Sequence, residues 1–115
     1  IEGIFSHFAT SDEYDKSYTL LQYGRFMDVC SRLEEKGLNI PIKHICNSAG
    51  IMMYPEMHLD MVRPGVILYG MYPSDEVDKS RLDLIPAMTL KSTIAHIKEV
   101  EPGRGVSYGK EYINR

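Results

Sequence analysis

Small polar and basic residues stand at three points where an apolar run of the sequence ends. His7 follows the first run, and Asn47 and Ser48 follow the second. A neutral imidazole can stack against an aromatic ring, while amide, hydroxyl and backbone N–H groups can hydrogen-bond an anion. Each point also has an ordinary interpretation: a histidine satisfied by one hydrogen bond, and a helix N-cap, where Asn and Ser are favoured. Taken alone, neither point predicts a binding site.

The third point is Arg63-Pro64-Gly65-Val66. A glycine lets a phosphate approach backbone N–H groups closely, and a helix N-terminus there would favour negative charge. Parallel barrels often bind phosphate on the loops after their last two strands and on a short extra helix. Asn47-Ser48 after one run and Gly65-Val66 after the next fit that arrangement. Arg63 is costly to bury without acceptors, so the alternative is a surface arginine beside a loop.

A tyrosine between small residues, Tyr108, is the remaining candidate for proton transfer. Its hydroxyl could act as an acid or base if a cationic neighbour lowered its pKa from about 10. The alternative is an ordinary strand aromatic. The other ligand-type side chains have no metal-binding spacing; these are His44, His58, His96, Cys30 and Cys46.

The elements that carry these residues alternate in their hydrophobic period. Residues 1–8 predict a strand, and a helical pattern runs from about Ser17 to Gly37, a residue type favoured just past a helix end. Residues 42–46 and 59–63 predict two more strands. A short helix opens at Asn47, and residues 66–69 suit either a strand or one helical turn. This order predicts βαβ units and a parallel sheet, in which functional residues gather at the carboxyl ends of the strands.

The helical pattern predicts one broad apolar face. Further along the chain the amino-acid composition changes twice, at about residues 73 and 89. The face comprises Tyr18, Leu21, Phe26, Val29, Cys30 and Leu33. Residues 73–86 are charged and begin and end with Pro, so they predict a linker. Residues 89–100 are rich in Thr and Ile and predict a strand. Residues 101–104 have Pro and Gly where a type II turn needs them, and residues 106–112 would return as a second strand.

Composition excludes several classes of protein. The 115 residues carry 13 Lys and Arg against 16 Asp and Glu, so a basic surface for nucleic acid is not expected. No apolar run approaches the length of a membrane span. Two cysteines are too few for a disulfide framework, and we expect both to be reduced and buried in a cytoplasmic protein. The first residue is Ile1 and no closing element ends the sequence, so we expect an internal piece of a longer chain.

Taken together and in order, four segments resemble bacterial alanine racemase. They are His7-Phe8-Ala9-Thr10-Ser11-Asp12, Cys46-Asn47-Ser48-Ala49, residues 61–70, and Gly105-Val106-Ser107-Tyr108-Gly109. The resemblance implies an α/β fold of two parts. Residues 1–72 would be the last part of a TIM-type (β/α)8 barrel that binds pyridoxal 5′-phosphate, residues 73–86 a linker, and residues 87–115 the start of a β-rich C-terminal domain. It also implies that residues 59–63 are the eighth strand and residues 66–69 a short helix facing the phosphate.

The resemblance further implies a cofactor site for pyridoxal 5′-phosphate. Its residues would be His7, Asn47, Ser48, Arg63, Gly65 and Val66. Ser48 and the backbone of Gly65 and Val66 would hold the phosphate, with Asn47 lining the same place. His7 would lie beside the pyridine ring and Arg63 would face its nitrogen.

By the same resemblance, Tyr108 would be one of two catalytic bases and would act in the site of the partner subunit of a homodimer. The activity implied is the interconversion of L-alanine and D-alanine by two-base proton transfer, which supplies D-alanine for peptidoglycan. The second base, the lysine that forms the Schiff base, would lie outside these 115 residues. We therefore expect the chain alone to be inactive.

Three alternatives remain open from the sequence. A non-catalytic barrel that carries pyridoxal 5′-phosphate would share the segment from Arg63 to Gly65, but it would not need the sequence after Pro86. A serine racemase domain attached to a membrane module would share both parts. A barrel that binds phosphate without pyridoxal chemistry would share only the anion site.

Overall fold

The computed structural model describes residues 1–115 and begins with a parallel βαβ unit. Strand β1 (Gly3–Phe5) pairs with strand β2 (Ile42–His44), with Ile4 opposite Lys43. Helix α1 (Ser17–Glu35) connects the two strands. The predicted parallel pairing is confirmed. Because the strands are parallel, the segments that follow them leave the sheet at the same edge.

Shorter elements complete the chain. Helix α2 covers Ser48–Met53, and strands β3 (Gly105–Val106) and β4 (Tyr112–Ile113) form an antiparallel hairpin. Single 3₁₀ turns lie at Pro55–Met57, Val66–Tyr69, Lys79–Arg81 and Tyr108–Lys110. None of the helices combines the length and the apolar character needed to cross a membrane.

Helix α1 ends in a Schellman motif, as the sequence predicts. The N–H of Leu38 donates to the carbonyl of Leu33 at 3.0 Å, and the N–H of Gly37 donates to the carbonyl of Glu34 at 2.8 Å. Gly37 has a φ of +79°, which a residue without Cβ adopts at little cost. The chain therefore reverses at Gly37 and returns to the sheet as β2.

The packed face of α1 is narrower than the predicted one. Phe26 and Cys30 are buried against the strands, whereas Tyr18, Leu21 and Val29 are about half exposed. Three residues of the predicted apolar face are therefore not buried. Their side of the helix lies over no other element, because only β1 and β2 form the sheet on which α1 packs.

The core lies between α1, β2 and α2. Phe8, Ile45 and Cys46 are its most buried members. Both cysteines are free and buried, as predicted. Burial raises the pKa of the Cys46 thiol to about 11, which keeps it protonated. Gly50 fits here because a Cβ on it would approach Cys46 Cβ within 3.0 Å and Phe8 Cδ2 within 3.2 Å.

The predicted strand over residues 59–63 is wrong, although the segment does run beside β2. The N–H of Asp60 donates to Lys43 O, and the N–H of Arg63 donates to Cys46 O, each at 3.1 Å. Leu59 has a φ of +53°, and Pro64 has no N–H to donate. Too few extended residues lie between Leu59 and Pro64 to form the regular hydrogen-bond ladder of a β-strand. Residues 66–69 form a 3₁₀ turn, which selects the helical alternative.

The C-terminal third is only partly as predicted. The turn at residues 101–104 is present, with a φ of +81° at Gly103, and the hairpin follows it directly. The strand predicted over residues 89–100 is wrong. Ile94 and Ile97 are exposed there, because no neighbouring strand offers them a pairing partner.

Candidate functional site

A polar cleft of about 310 Å³ lies where the chain leaves the carboxyl ends of β1 and β2. All six residues expected to hold the cofactor line it. The complete lining is His7, Asp12, Asn47, Ser48, Ala49, Arg63, Gly65, Val66 and Pro73. The structure therefore brings together the three segments that contain His7, Ser48 and Gly65. Each is selected separately in the sequence because functional residues gather at the carboxyl ends of parallel strands.

Asn47 caps the N-terminus of α2 and also joins the loop after β2 to the loop after β1 by hydrogen bonds. Its Oδ1 accepts from the N–H of Gly50 and from Ser11 Oγ, both at 2.9 Å. Its Nδ2 donates to Phe8 O at 3.2 Å and lies 3.4 Å from His7 Nε2. The ordinary interpretation of this residue as a cap is thus realised. Because its amide is occupied within the chain, Asn47 mainly fixes the position of its neighbours.

Ser48 carries a free donor into the cleft. Its side chain is 6% exposed, and its Oγ accepts the N–H of Gly65 at 2.8 Å. The Ser48 hydroxyl hydrogen finds no acceptor within the chain, and neither does the N–H of Val66, which also lines the cleft. Two hydrogen-bond donors therefore remain for an anion at this end of the cleft.

Arg63 is held by neutral groups. Its Nη2 donates to Ser6 O at 2.8 Å and lies 3.4 Å from His7 Nδ1. Its Nη1 contacts His44 Nδ1, and the guanidinium carbon lies 5.4 Å from the centre of the Phe5 ring. The Nε–H makes no hydrogen bond within the chain and is available to a ligand. The half-buried guanidinium thus has the acceptors that its burial requires.

His44 contacts Arg63, and the sequence does not single it out as a site residue. Burial, together with the Arg63 charge, lowers its pKa below the usual 6.5. The ring is therefore neutral near pH 7, and Nδ1 can accept a hydrogen bond from the guanidinium. The ring also stacks on Phe5 at 5.4 Å with an angle of 10° between the planes. The only signal in the sequence was its place at the end of a strand.

Tyr108 does not reach this cleft. It is 98% exposed and lies in the 3₁₀ turn between β3 and β4. The chain therefore offers its hydroxyl to solvent or to another molecule. Its role in the site of a partner subunit stays a prediction.

Three further lining residues were not expected at the site, namely Asp12, Ala49 and Pro73. Ala49 follows Ser48 directly, whereas Asp12 belongs to the segment after β1 and Pro73 to the predicted linker. Asp12 and Pro73 reach the cleft through contacts between segments that are distant in sequence. No cluster of three or more metal-ligating side chains exists in the chain.

A βαβ unit with free donors and a fixed guanidinium at its strand ends is an α/β fold with an anion-binding cleft. The family model described as "Alanine racemase, N-terminal domain" matches residues 1–73. The chain belongs to this family.

Relatives with this name match nearly the whole chain. An alanine racemase of Clostridium tetani is 60% identical over 112 residues, which cover 97% of this chain and 29% of the relative. One of Desulforamulus reducens is 59% identical over 112 residues, or 97% of this chain and 30% of the relative. The chain thus spans about 30% of the length of the curated relatives that it matches.

Solved structures agree with this assignment. The alanine racemase of Clostridium difficile 630 in complex with cycloserine aligns with a TM-score of 0.82 and 55% identity, over 99% of this chain and 30% of that one. The alanine racemase from Bacillus anthracis with bound L-Ala-P aligns with a TM-score of 0.82 and 37% identity, over the same shares.

Proposed function

We propose that this chain is the cofactor-holding part of a pyridoxal 5′-phosphate-dependent alanine racemase that interconverts L-alanine and D-alanine. One observation carries the proposal: the six residues selected by the resemblance line a single cleft in a chain of this family. The cycloserine and L-Ala-P complexes of two relatives support alanine as the substrate. D-alanine made in this way would supply peptidoglycan synthesis.

The cleft fits the phosphate of this cofactor. A phosphate needs several donors, and Ser48 and Val66, which both line the cleft, each keep one unpaired hydrogen. The volume of about 310 Å³ is within the range of small-molecule sites. Asp12 also lines the cleft, and its carboxylate would repel the phosphate. The phosphate therefore belongs at the end formed by Ser48 and Val66.

The residues around the rest of the cleft fit the pyridine ring. His7 is exposed into the cleft and has a flat face for stacking. The Arg63 Nε–H is free to donate to the ring nitrogen. When bound, the cofactor delocalises the electron pair left at the α-carbon of the amino acid after proton removal. Arg63 only donates and cannot give its proton away, so it would keep the ring a weaker electron acceptor than an aspartic acid would.

Tyr108 would exchange the proton on one face of the α-carbon, and a lysine outside this chain would serve the other face. Its hydroxyl is exposed and lies away from its own cleft, which supports action in a second subunit. The full protein would therefore be a homodimer in which each active site combines residues of both subunits.

We place the end of the barrel at residues 1–72, the linker at 73–86 and the start of a β-rich C-terminal domain at 87–115. The parallel βαβ unit and the family match over residues 1–73 support the first of these boundaries. The hairpin at β3 and β4 supports the last. A cofactor carrier and a serine racemase module lack comparable support, because the relatives that match through the hairpin are named alanine racemase.

The test uses the full-length protein that contains this chain. We expect D-alanine to form from L-alanine, measured by chiral chromatography, and we expect the purified protein to bind pyridoxal 5′-phosphate. Binding of the cofactor without any conversion would favour a carrier. Conversion of serine in preference to alanine would favour the serine racemase alternative. Absence of both cofactor binding and conversion would overturn the proposal.

A further inference from the structure

The segment that follows the Val66–Tyr69 turn folds back along the rim of the cleft. We call residues 73–78 the strap. Ser74 Oγ donates to Asp12 O at 2.8 Å and accepts the N–H of Glu76 at 3.2 Å. Glu76 Oε2 accepts the N–H of Tyr14 at 2.6 Å. Every hydrogen bond from residues 12–14 to a segment distant in sequence therefore ends on the strap.

The other side of the strap is anchored on α2. Val77 is 5% exposed and packs with Ala49 and Met52 in a small apolar cluster. The N–H of Asp78 contacts Met53 Sδ at 3.4 Å. Ala49 follows Ser48 directly and itself lines the cleft. The strap thus has one attachment on the loop after β1 and another on the helix that carries the phosphate-binding serine.

These contacts join the two walls of the cleft. The loop after β1 brings Asp12, α2 brings Ser48, and the first residue of the strap, Pro73, lines the space between them. Ser11, in the same loop, is held separately because its hydroxyl donates a hydrogen bond to Asn47 Oδ1. The strap makes the only hydrogen bonds between residues 12–14 and a distant segment. The distance between the outer walls therefore depends on Ser74 and Val77.

We propose that the strap positions the cofactor site, with Ser74 and Val77 as positioning residues that act through the loop at Asp12 and through α2. The inference rests on the proposed function, because the ligand whose affinity it controls is pyridoxal 5′-phosphate. Neither residue touches the ligand. Loosening the strap lets the outer wall fluctuate, so part of the binding free energy is spent on ordering it again.

The test compares the cofactor affinity of full-length variants under conditions in which urea titration shows each protein to be folded. Ser74→Ala removes one hydrogen bond to the loop and should weaken the cofactor Kd about fivefold. Val77→Ala should weaken it about tenfold, and Val77→Ile, which keeps the packing, should restore most of the affinity. Ser92→Ala is the matched control, because the Ser92 hydroxyl contacts only the carbonyl of neighbouring Thr93, at 3.5 Å, and no residue of the strap.

A second measurement does not depend on the cofactor. The Tyr14 N–H is protected by Glu76, so its hydrogen exchange in the apo protein should accelerate about tenfold in Ser74→Ala and in Val77→Ala. It should not change in Ser92→Ala. Variants that are less stable overall but keep wild-type affinity and Tyr14 protection would overturn the inference and leave the strap a structural element. Failure of the wild-type protein to bind the cofactor would instead overturn the proposed function.

Discussion

Replacing Ser48 by alanine tests the phosphate end of the cleft most directly. The hydroxyl has two functions there: it accepts the Gly65 N–H at 2.8 Å, and its own hydrogen is free for a ligand. Alanine removes both while leaving the N-cap at Asn47 in place, because Asn47 Oδ1 accepts from Gly50 and not from Ser48. The backbone of the site should therefore survive the substitution.

The expected magnitude follows from the lost hydrogen bond. A hydrogen bond to a charged group contributes about 1.5–3 kcal/mol, which corresponds to a cofactor Kd about 10- to 150-fold weaker. The lower part of that range is favoured, because the Gly65 N–H loses its acceptor and can turn to the phosphate instead. We therefore expect about 10- to 30-fold.

The assay titrates the full-length apoprotein with two ligands, pyridoxal 5′-phosphate and pyridoxal. Ser48→Ala should weaken only the first, because pyridoxal has no phosphate to lose contact with. Thr19→Val is the control: its buried hydroxyl contacts only Thr10 Oγ1, at 3.4 Å, so both affinities should stay at the wild-type value. Equal weakening of both ligands, or none, would refute the assignment of Ser48 to the phosphate.

Three further predictions concern single side chains in the full-length protein. Tyr108→Phe should lower the racemisation rate about 10²- to 10⁴-fold with cofactor affinity unchanged, and normal rates in both directions would leave Tyr108 an exposed turn residue without a catalytic role. Burial and the Arg63 charge lower the pKa of His44 below 6.5, so the unfolded chain binds this proton more readily. The free energy of unfolding should therefore fall as the pH drops below about 6.5, and His44→Gln should flatten that slope in urea titrations. Tyr54→Phe should raise the free energy of unfolding by about 1 kcal/mol, because the buried Tyr54 hydroxyl has no hydrogen-bond partner, and thermal or urea unfolding measures the change.

The sequence predicts the cleft well because its residues follow a rule of topology. His7 and Ser48 follow the two parallel strands, which bring such positions to one edge of the sheet. Gly65 joins them because the segment before it runs beside β2, with the Arg63 N–H donating to Cys46 O. No knowledge of side-chain contacts is needed for that step. The end of α1 at Gly37 is equally local, since a positive φ and two backbone hydrogen bonds determine it.

The features that the sequence does not reveal depend on contacts with distant segments. The Ile-rich stretch 89–100 has β-propensity, but a strand also needs a neighbour to pair with. The charged composition of residues 73–86 indicates a linker and does not reveal that Val77 is buried against α2. Propensity and composition describe one segment at a time, whereas strand pairing and burial each require a second segment.

The pairing of Arg63 with His44 shows why such a contact matters for function. Arg63 belongs to no ion pair, since its partners are the Ser6 carbonyl and a neutral imidazole. Its positive charge is therefore not cancelled by a carboxylate and can act on whatever occupies the cleft. A second consequence concerns acidic conditions: protonated His44 has no lone pair at Nδ1 and would place a like charge against the guanidinium. Protonation of His44 would therefore remove one hydrogen-bond acceptor of Arg63 and repel its guanidinium. The position of Arg63, which lines the cleft, thus depends on the charge state of His44, which does not.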